Sequence, residues 1–181
     1  QMSTDANELR WGVVGCGDIV QKRVAAAIRD VPGSRLAAVA RKDAGKVAKS
    51  AVELGADRWH ATADDLIRDP DIDAVYLATP VDRHLPDTLL AAAEGKHILC
   101  EKPMALTPDD CREMIDATRE AGVTFGVAYY RRFYPAVQTI REYLARGTLG
   151  DAVSVEFRVH DLHDPEGNWA GREWFFDPKQ A

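Results

Sequence analysis

Strand and helix patterns alternate without a break through the first 128 residues, which leaves few possible folds. Short apolar runs rich in β-branched residues predict buried strands, and segments with apolar residues at helical spacing separate them. The predicted strands cover 9–14, 36–40, 58–60, 74–78, 97–100 and 124–128. Because strands joined by helices run parallel through right-handed crossovers, the pattern predicts a doubly wound parallel α/β sheet.

The pattern changes after residue 128. A predicted helix over 135–146 is followed by alternating apolar and polar residues over 153–159. This alternation predicts a strand with one buried face, as in an antiparallel or mixed sheet. One strand and one helix cannot bury a core alone. We therefore expect a first domain over 1–128, and over 129–181 an incomplete α+β domain with a mostly antiparallel open sheet.

Charge and composition argue against several classes of protein. The net charge of −6 comes without a basic stripe interleaved with aromatics, so no nucleic-acid partner is expected. No apolar run approaches the ~18 residues that span a bilayer. The polar N-terminal segment lacks the apolar core of a signal peptide. The three cysteines are widely spaced and lack metal-ligand spacing, which favours reduced thiols in a cytoplasmic protein without a metal.

A glycine pair follows the first predicted strand and opens the first helix. Gly15 would permit a tight turn, Gly17 would let the backbone approach a pyrophosphate, and the helix N-terminus would supply amide donors. The third position of this fingerprint is Val20 rather than a small residue, so the motif is partial and a plain turn is the alternative. The expected dinucleotide-binding residues here are Gly15, Cys16, Gly17, Asp18 and Ile19.

The residues after the second strand bear on the choice of cofactor. An acidic residue there would hold the ribose 2′-hydroxyl of NAD. The chain has Arg41 and Lys42 instead, and two cations suit the 2′-phosphate of NADP. NADP is therefore the expected cofactor, with NAD as the alternative, unless the pair is only a solvated basic turn. Asp43 is expected to cap the next helix.

A charged pair, Glu101 and Lys102, follows the fifth predicted strand and precedes Pro103. Ligands of open α/β sheets bind outside the carboxyl ends of the strands. Lys102 is therefore the expected catalytic residue. Glu101 would accept from a ribose hydroxyl or orient Lys102. The alternative is a surface lysine beside a surface glutamate.

Other polar residues could line the same edge. Thr79 and Pro80 end the fourth predicted strand. His84 begins the next helix, where it could line the nicotinamide end or simply be exposed. Arg131 and Arg132 precede the helix over 135–146, and one of them, taken as Arg132, could reach the cleft. The expected cofactor-binding residues beyond the glycine turn are Arg41, Lys42, Thr79, Pro80, His84, Glu101 and Arg132.

Together these motifs resemble the Gfo/Idh/MocA oxidoreductases. The resemblance rests on four stretches, which are GVVGCGDIV, DAVYLATPVDRH, GKHILCEKPMALT and YYRRFYPAVQTIREYLARGTLGDAVSVEF. It implies an N-terminal Rossmann domain and a C-terminal α/β domain on a large open sheet. It also implies NAD(P)-dependent oxidation of sugar or cyclitol hydroxyls, or the reverse reduction, with Lys102 in place of the family's catalytic lysine. The protein is further expected to be a dimer or tetramer.

The sequence departs from the family pattern in two places. Val20 replaces the commoner small residue, and the 181 residues contain no D-x-G-x-H element, whose histidine is the usual partner of the lysine. We therefore expect cofactor binding without catalysis from residues 1–181 alone. The leading hypothesis is that the full-length protein containing these residues is an NADP(H)-preferring dehydrogenase or reductase. The alternative is a nucleotide-binding sensor or regulatory subunit without turnover.

Overall fold

The computed structural model describes residues 8–156, 158 and 160. Contacts divide the chain into two compact units, with the division between Ala128 and Tyr129. The strands of the first unit are β1 (Leu9–Val14), β2 (Ser34–Ala40), β3 (Arg58–His60), β4 (Ala74–Leu77), β5 (His97–Cys100) and β6 (Phe125–Val127). They form one six-stranded parallel sheet in the order β3-β2-β1-β4-β5-β6. The predicted doubly wound sheet is confirmed.

The first helix, α1, continues from a π-helical turn over Val20–Val24 into Ala25–Asp30. The other helices are α2 (Ala44–Leu54), α3 (Ala63–Ile67), α4 (Val81–Ala93), α5 (Pro108–Glu120) and α6 (Pro135–Ala145). Local signals set several of their starts. The Thr62 and Thr107 hydroxyls accept from backbone amides and so cap the starts of α3 and α5. None of the described helices is long and apolar enough to cross a membrane.

Apolar side chains cover both faces of the sheet. Val13 and Val14 are consecutive residues of β1, yet they belong to two different buried clusters because strand side chains alternate between faces. One cluster includes Leu66 and Met114, and the other includes Val47. Each fully buried aliphatic side chain contributes roughly 1.5–3 kcal/mol, so this double layer fixes the positions of the strand ends.

The second unit contains α6 and a 3₁₀ turn over Tyr130–Phe133. No residue of α6 is buried. The predicted strand over 153–159 is wrong at every described position, because residues 153–156 and 158 form no strand. A strand requires a hydrogen-bonded neighbour, and the described part of the chain after residue 128 supplies none. Phe157 and Val159 lie outside the described residues.

Candidate functional site

Four strands of the sheet end in register at one edge. In the pairings of β1 with β2, β1 with β4 and β4 with β5, the last residue of each strand pairs with the last residue of its neighbour. Gly15, Arg41, Ala78 and Glu101 follow these strands directly. The strand order reverses between β1 and β4, and ligands of open α/β sheets bind in the crevice outside such a point.

Gly15 is required by the turn that it forms. Its amide donates to the carbonyl of Ala40 at 2.8 Å, and its φ of +95° favours glycine. A Cβ at Gly15 would stand 2.5 Å from the carbonyl oxygen of Ala78, closer than real contacts allow. The turn after β1 is therefore held against the ends of both neighbouring strands, β2 and β4.

Gly17 differs, because a Cβ at this position would meet no described atom within 4 Å apart from those of its two chain neighbours. Its carbonyl accepts from the amides of Val20 and Gln21 at the start of the first helix. Nothing in the fold of the described residues excludes a side chain here. Open space beside a helix N-terminus is what a pyrophosphate requires, so the geometry fits the nucleotide suggested by the sequence.

The side chains of the other residues in this turn contact other groups of the protein. The buried Cys16 thiol donates to the carbonyl of Ala40 at 3.6 Å, and burial raises its pKa. Only the backbone of Cys16 is therefore placed to meet a ligand. Asp18 is exposed and pairs with Lys22 at 2.7 Å, whereas Ile19 is partly buried against the core. Val20 is fully buried at the point where the helix widens into its π-turn.

The two cations after β2 differ in their surroundings. Arg41 is half-buried, and its Nη1 donates to Oγ of Ser50 at 2.8 Å, whereas Lys42 is exposed. Asp43 accepts from the amide of Gly45 and caps α2, as predicted. The sequence reasoning missed Ser50. A polar residue among the buried positions of α2 was the available signal.

Thr79 is held by a carboxylate that the sequence reasoning did not single out. Its hydroxyl donates to Oδ2 of Asp87 at 3.1 Å, while Arg83 donates to Oδ1 at 2.6 Å. Asp87 is only 1% exposed, and burial raises its pKa while Arg83 acts in the opposite direction. The turn after β4 is therefore anchored to α4 through a buried acid.

His84 is 1% exposed, so the expectation of a merely exposed histidine is wrong. Its Nε2 lies 2.9 Å from the carbonyl oxygen of Thr79, and its Nδ1 lies 3.0 Å from that of Pro103. Both ring nitrogens therefore meet protein atoms. This geometry leaves neither nitrogen free to contact a nicotinamide, because each already faces a backbone carbonyl.

Glu101 is buried, with 8% exposure, so the alternative of a surface glutamate is also wrong. Its Oε1 accepts from the Tyr76 hydroxyl at 2.6 Å, and its Oε2 accepts from the backbone amide of Lys102 at 3.0 Å. Burial raises the pKa of Tyr76, and the bond to Glu101 adds to this effect. The Lys102 side chain is exposed at the edge of the sheet, and the Lys102–Pro103 peptide bond is cis.

Arg131 and Arg132 lie in the second unit, within the turn Tyr130–Phe133, and both are exposed. The carbonyl of Arg132 accepts from Nε2 of Gln138 at 2.5 Å. The prediction that Arg132 reaches a cofactor stays a prediction.

The turn at Gly15, the space at Gly17 and Lys102 after β5 point to a nucleotide-binding oxidoreductase. The family model for Gfo/Idh/MocA, described as an oxidoreductase family with an NAD-binding Rossmann fold, matches residues 9–129. The chain belongs to this family. The Gfo/Idh/MocA resemblance inferred from the sequence is therefore confirmed.

Two curated relatives extend the match beyond the Rossmann domain. The 1,5-anhydro-D-fructose reductase of Ensifer adhaerens is 38% identical over 145 residues, which is 80% of this chain and 43% of that protein. The trans-1,2-dihydrobenzene-1,2-diol dehydrogenase of Mus musculus is 34% identical over 161 residues, 87% of this chain and 48% of that protein.

Among solved structures, the WlbA dehydrogenase from Bordetella pertussis in complex with NADH and UDP-GlcNAcA superposes with a TM-score of 0.74. It is 28% identical, and the match covers 80% of this chain and 42% of that one. The chain thus spans about half the length of the relatives that it matches.

Proposed function

We propose that the protein is an NAD(P)-dependent oxidoreductase that transfers a hydride between a nicotinamide and a carbon bearing a hydroxyl or carbonyl group. Its substrate is a sugar, a cyclitol or a related small molecule. The observation that carries the proposal is the open space at Gly17, on the same sheet edge as Lys102. The relatives support the substrate class, since one is named as an anhydro-sugar reductase and another as a dihydrodiol dehydrogenase.

Residues 1–128 would serve as the dinucleotide-binding domain, and residues 129–181 would begin the substrate and oligomerisation domain. Gly15, Gly17 and the helix start would hold the pyrophosphate. A bound nicotinamide accepts or supplies the hydride. Lys102 would hydrogen-bond the reacting oxygen and stabilise the negative charge that develops on it. Glu101 would orient Lys102, because its carboxylate accepts from the Lys102 amide.

The preferred cofactor in this proposal is NADP rather than NAD. Arg41 follows β2, and its bond to Ser50 engages one of the five guanidinium N–H donors, which leaves others for a 2′-phosphate. Arg41→Asp should weaken NADP(H) binding far more than NAD(H) binding, because each lost charge-assisted bond costs about 1.5–3 kcal/mol. The adjacent Lys42→Asp is the matched control, with a smaller expected loss. Equal losses for NADPH and NADH in fluorescence titrations of Arg41→Asp would contradict the assignment.

The proposal also includes assembly of the protein into a homo-oligomer. Helix α6 leaves Ile140, Tyr143 and Leu144 each at least 42% exposed, and such apolar groups favour burial against more protein. This supports a homodimer or homotetramer, and sedimentation of the full-length protein at micromolar concentration should show one. A monomer would contradict the proposed assembly.

The cysteines bear on where the protein works. The three free cysteines fit a reducing compartment such as the cytoplasm.

The test of the function is a screen of sugars, cyclitols and related diols with NADP, NADPH, NAD and NADH. The readout is the substrate-dependent change in nicotinamide absorbance in the full-length protein. We expect turnover with at least one polyol or keto-sugar. Cofactor binding without turnover on any of these compounds would instead favour a nucleotide-binding sensor on the same fold.

A further inference from the structure

One buried side chain joins the two turns that follow β4 and β5. His84, on α4, faces the Thr79 carbonyl at 2.9 Å and the Pro103 carbonyl at 3.0 Å. Both partners are backbone groups and therefore acceptors only. In the neutral ring one nitrogen donates to its carbonyl, and in the imidazolium both donate. In either state the ring spans the distance between the turns.

Lys102 immediately precedes Pro103, whose carbonyl faces the His84 ring. Its amide donates to Oε2 of Glu101 at 3.0 Å, while the carbonyl of the next residue, Pro103, faces His84. The backbone of Lys102 is therefore restrained on both sides by buried groups, Glu101 at 8% and His84 at 1% exposure. The Lys102 side chain itself is exposed.

The second partner of the His84 ring, Thr79, is also held in place. Thr79 meets His84 through its carbonyl and donates from its hydroxyl to the buried Asp87 on the same helix. Because Thr79 is held at two points, it is a firm anchor for the ring. A shift of the Pro103 carbonyl would require His84, and through it α4, to move.

We propose that His84 is a positioning residue for Lys102. By bonding to Pro103, it fixes where the Lys102 backbone lies and so where the ammonium can meet a reacting oxygen. This role rests on the proposed hydride-transfer function. A displacement of a catalytic group by about 1 Å can cost on the order of 10²-fold in rate, so a backbone restraint next to an exposed lysine has a measurable kinetic effect.

Two amide substitutions separate positioning from simple core stability. In His84→Asn the amide nitrogen can occupy the place of Nδ1 and donate to Pro103. In His84→Gln it can occupy the place of Nε2 and donate to Thr79. Each variant keeps a donor toward only one of the two carbonyls, so a purely structural histidine predicts that they behave alike.

We expect His84→Asn to keep most of the wild-type kcat and His84→Gln to lose at least about tenfold, because only the asparagine keeps the restraint beside Lys102. The dissociation constant of NADPH should change little in both, since the phosphates are held at the glycine turn. Equal kcat values in two folded variants would overturn the proposal.

Hydrogen exchange supplies a readout that does not depend on turnover. The segment 101–106 should exchange faster in His84→Gln than in the wild type or His84→Asn, while β1 and α2 stay unchanged. Unaltered exchange of this segment in folded His84→Gln would overturn the proposal. If the wild type turned over no compound but its exchange followed the expected pattern, the hydride-transfer function would fail while the restraint by His84 stood.

Discussion

Gly15 and Gly17 are two residues apart, yet their glycine character has different causes. The turn itself demands a glycine at position 15, through a positive φ and the closeness of Ala78. At position 17 the described chain makes no such demand, since the space around the α-carbon is open. A residue that the fold does not require but the proposed cofactor does is a sharp test of the site.

Gly17→Ala should leave the free energy of unfolding within about 0.5 kcal/mol of the wild type, because the new methyl group meets no described atom beyond its chain neighbours. Its affinity for NADPH should fall at least about tenfold, or about 1.4 kcal/mol, because the methyl group occupies the space assigned to the pyrophosphate. Urea denaturation and fluorescence titration measure the two quantities.

Gly15→Ala is the matched control. It should lower the free energy of unfolding by at least about 1 kcal/mol, since an L-residue is strained at this φ and its Cβ would clash with the Ala78 carbonyl. A Gly17→Ala variant that binds NADPH as tightly as the wild type would remove the pyrophosphate assignment.

At the scale of whole elements, an ion pair lies at the end of the strands opposite the proposed site and joins β1 to Asp73, the residue that precedes β4. Arg10 donates from Nε and Nη2 to the two carboxylate oxygens of Asp73, at 2.8 and 2.7 Å. These hydrogen bonds hold the pKa of Asp73 below its usual range. The pair is about one-third exposed, so solvent screens much of its energy.

Asp73→Asn should therefore lower the free energy of unfolding by about 1 kcal/mol near neutral pH. Because the pKa of Asp73 is lower in the folded than in the unfolded state, its ionised carboxylate stabilises the fold at pH values above the unfolded-state pKa of about 3.9. This stabilisation is lost as the pH falls through the folded-state pKa. The difference in free energy of unfolding between the wild type and Asp73→Asn should thus become smaller below about pH 4. Urea denaturation at about pH 7 and about pH 3 measures it.

Asp116→Asn is the control for this experiment, because Asp116 and its partner Arg119 are 72% and 74% exposed. It should change the free energy of unfolding by less than about 0.5 kcal/mol. If Asp73→Asn had the same effect at both pH values, the pair with Arg10 would not be the cause of its loss of stability.

Local signals in the sequence predicted the strands of the first unit well, because strand periodicity, the Asp43 cap and the Gly15 turn depend on neighbours in the chain. They did not reveal how the site is supported. Tyr76 bonds to Glu101 across 25 residues, and His84 faces Pro103 across 19. Such contacts arise from tertiary packing. The predicted strand at Val153 failed for a related reason, since a strand depends on a partner elsewhere in the chain.

At the scale of the whole molecule, the first unit brings together the parts of the proposed nucleotide site, which the chain separates by about ninety residues. The parallel sheet places the glycine turn after β1 and Lys102 after β5 on one edge. Lys102 is the one residue in this arrangement to which the proposal gives a role in the chemistry itself.

Lys102→Met tests the role of that residue most directly, because methionine keeps much of the apolar stem and removes the ammonium. With a substrate found in the screen, we expect kcat of the full-length protein to fall by at least ~10²-fold, while the NADPH dissociation constant changes by only a small factor. Lys49→Met, at a side chain that is 79% exposed on α2, should leave both values unchanged. If Lys102→Met turned over substrate as fast as the Lys49→Met control, Lys102 would have no part in hydride transfer and the proposed mechanism would be wrong.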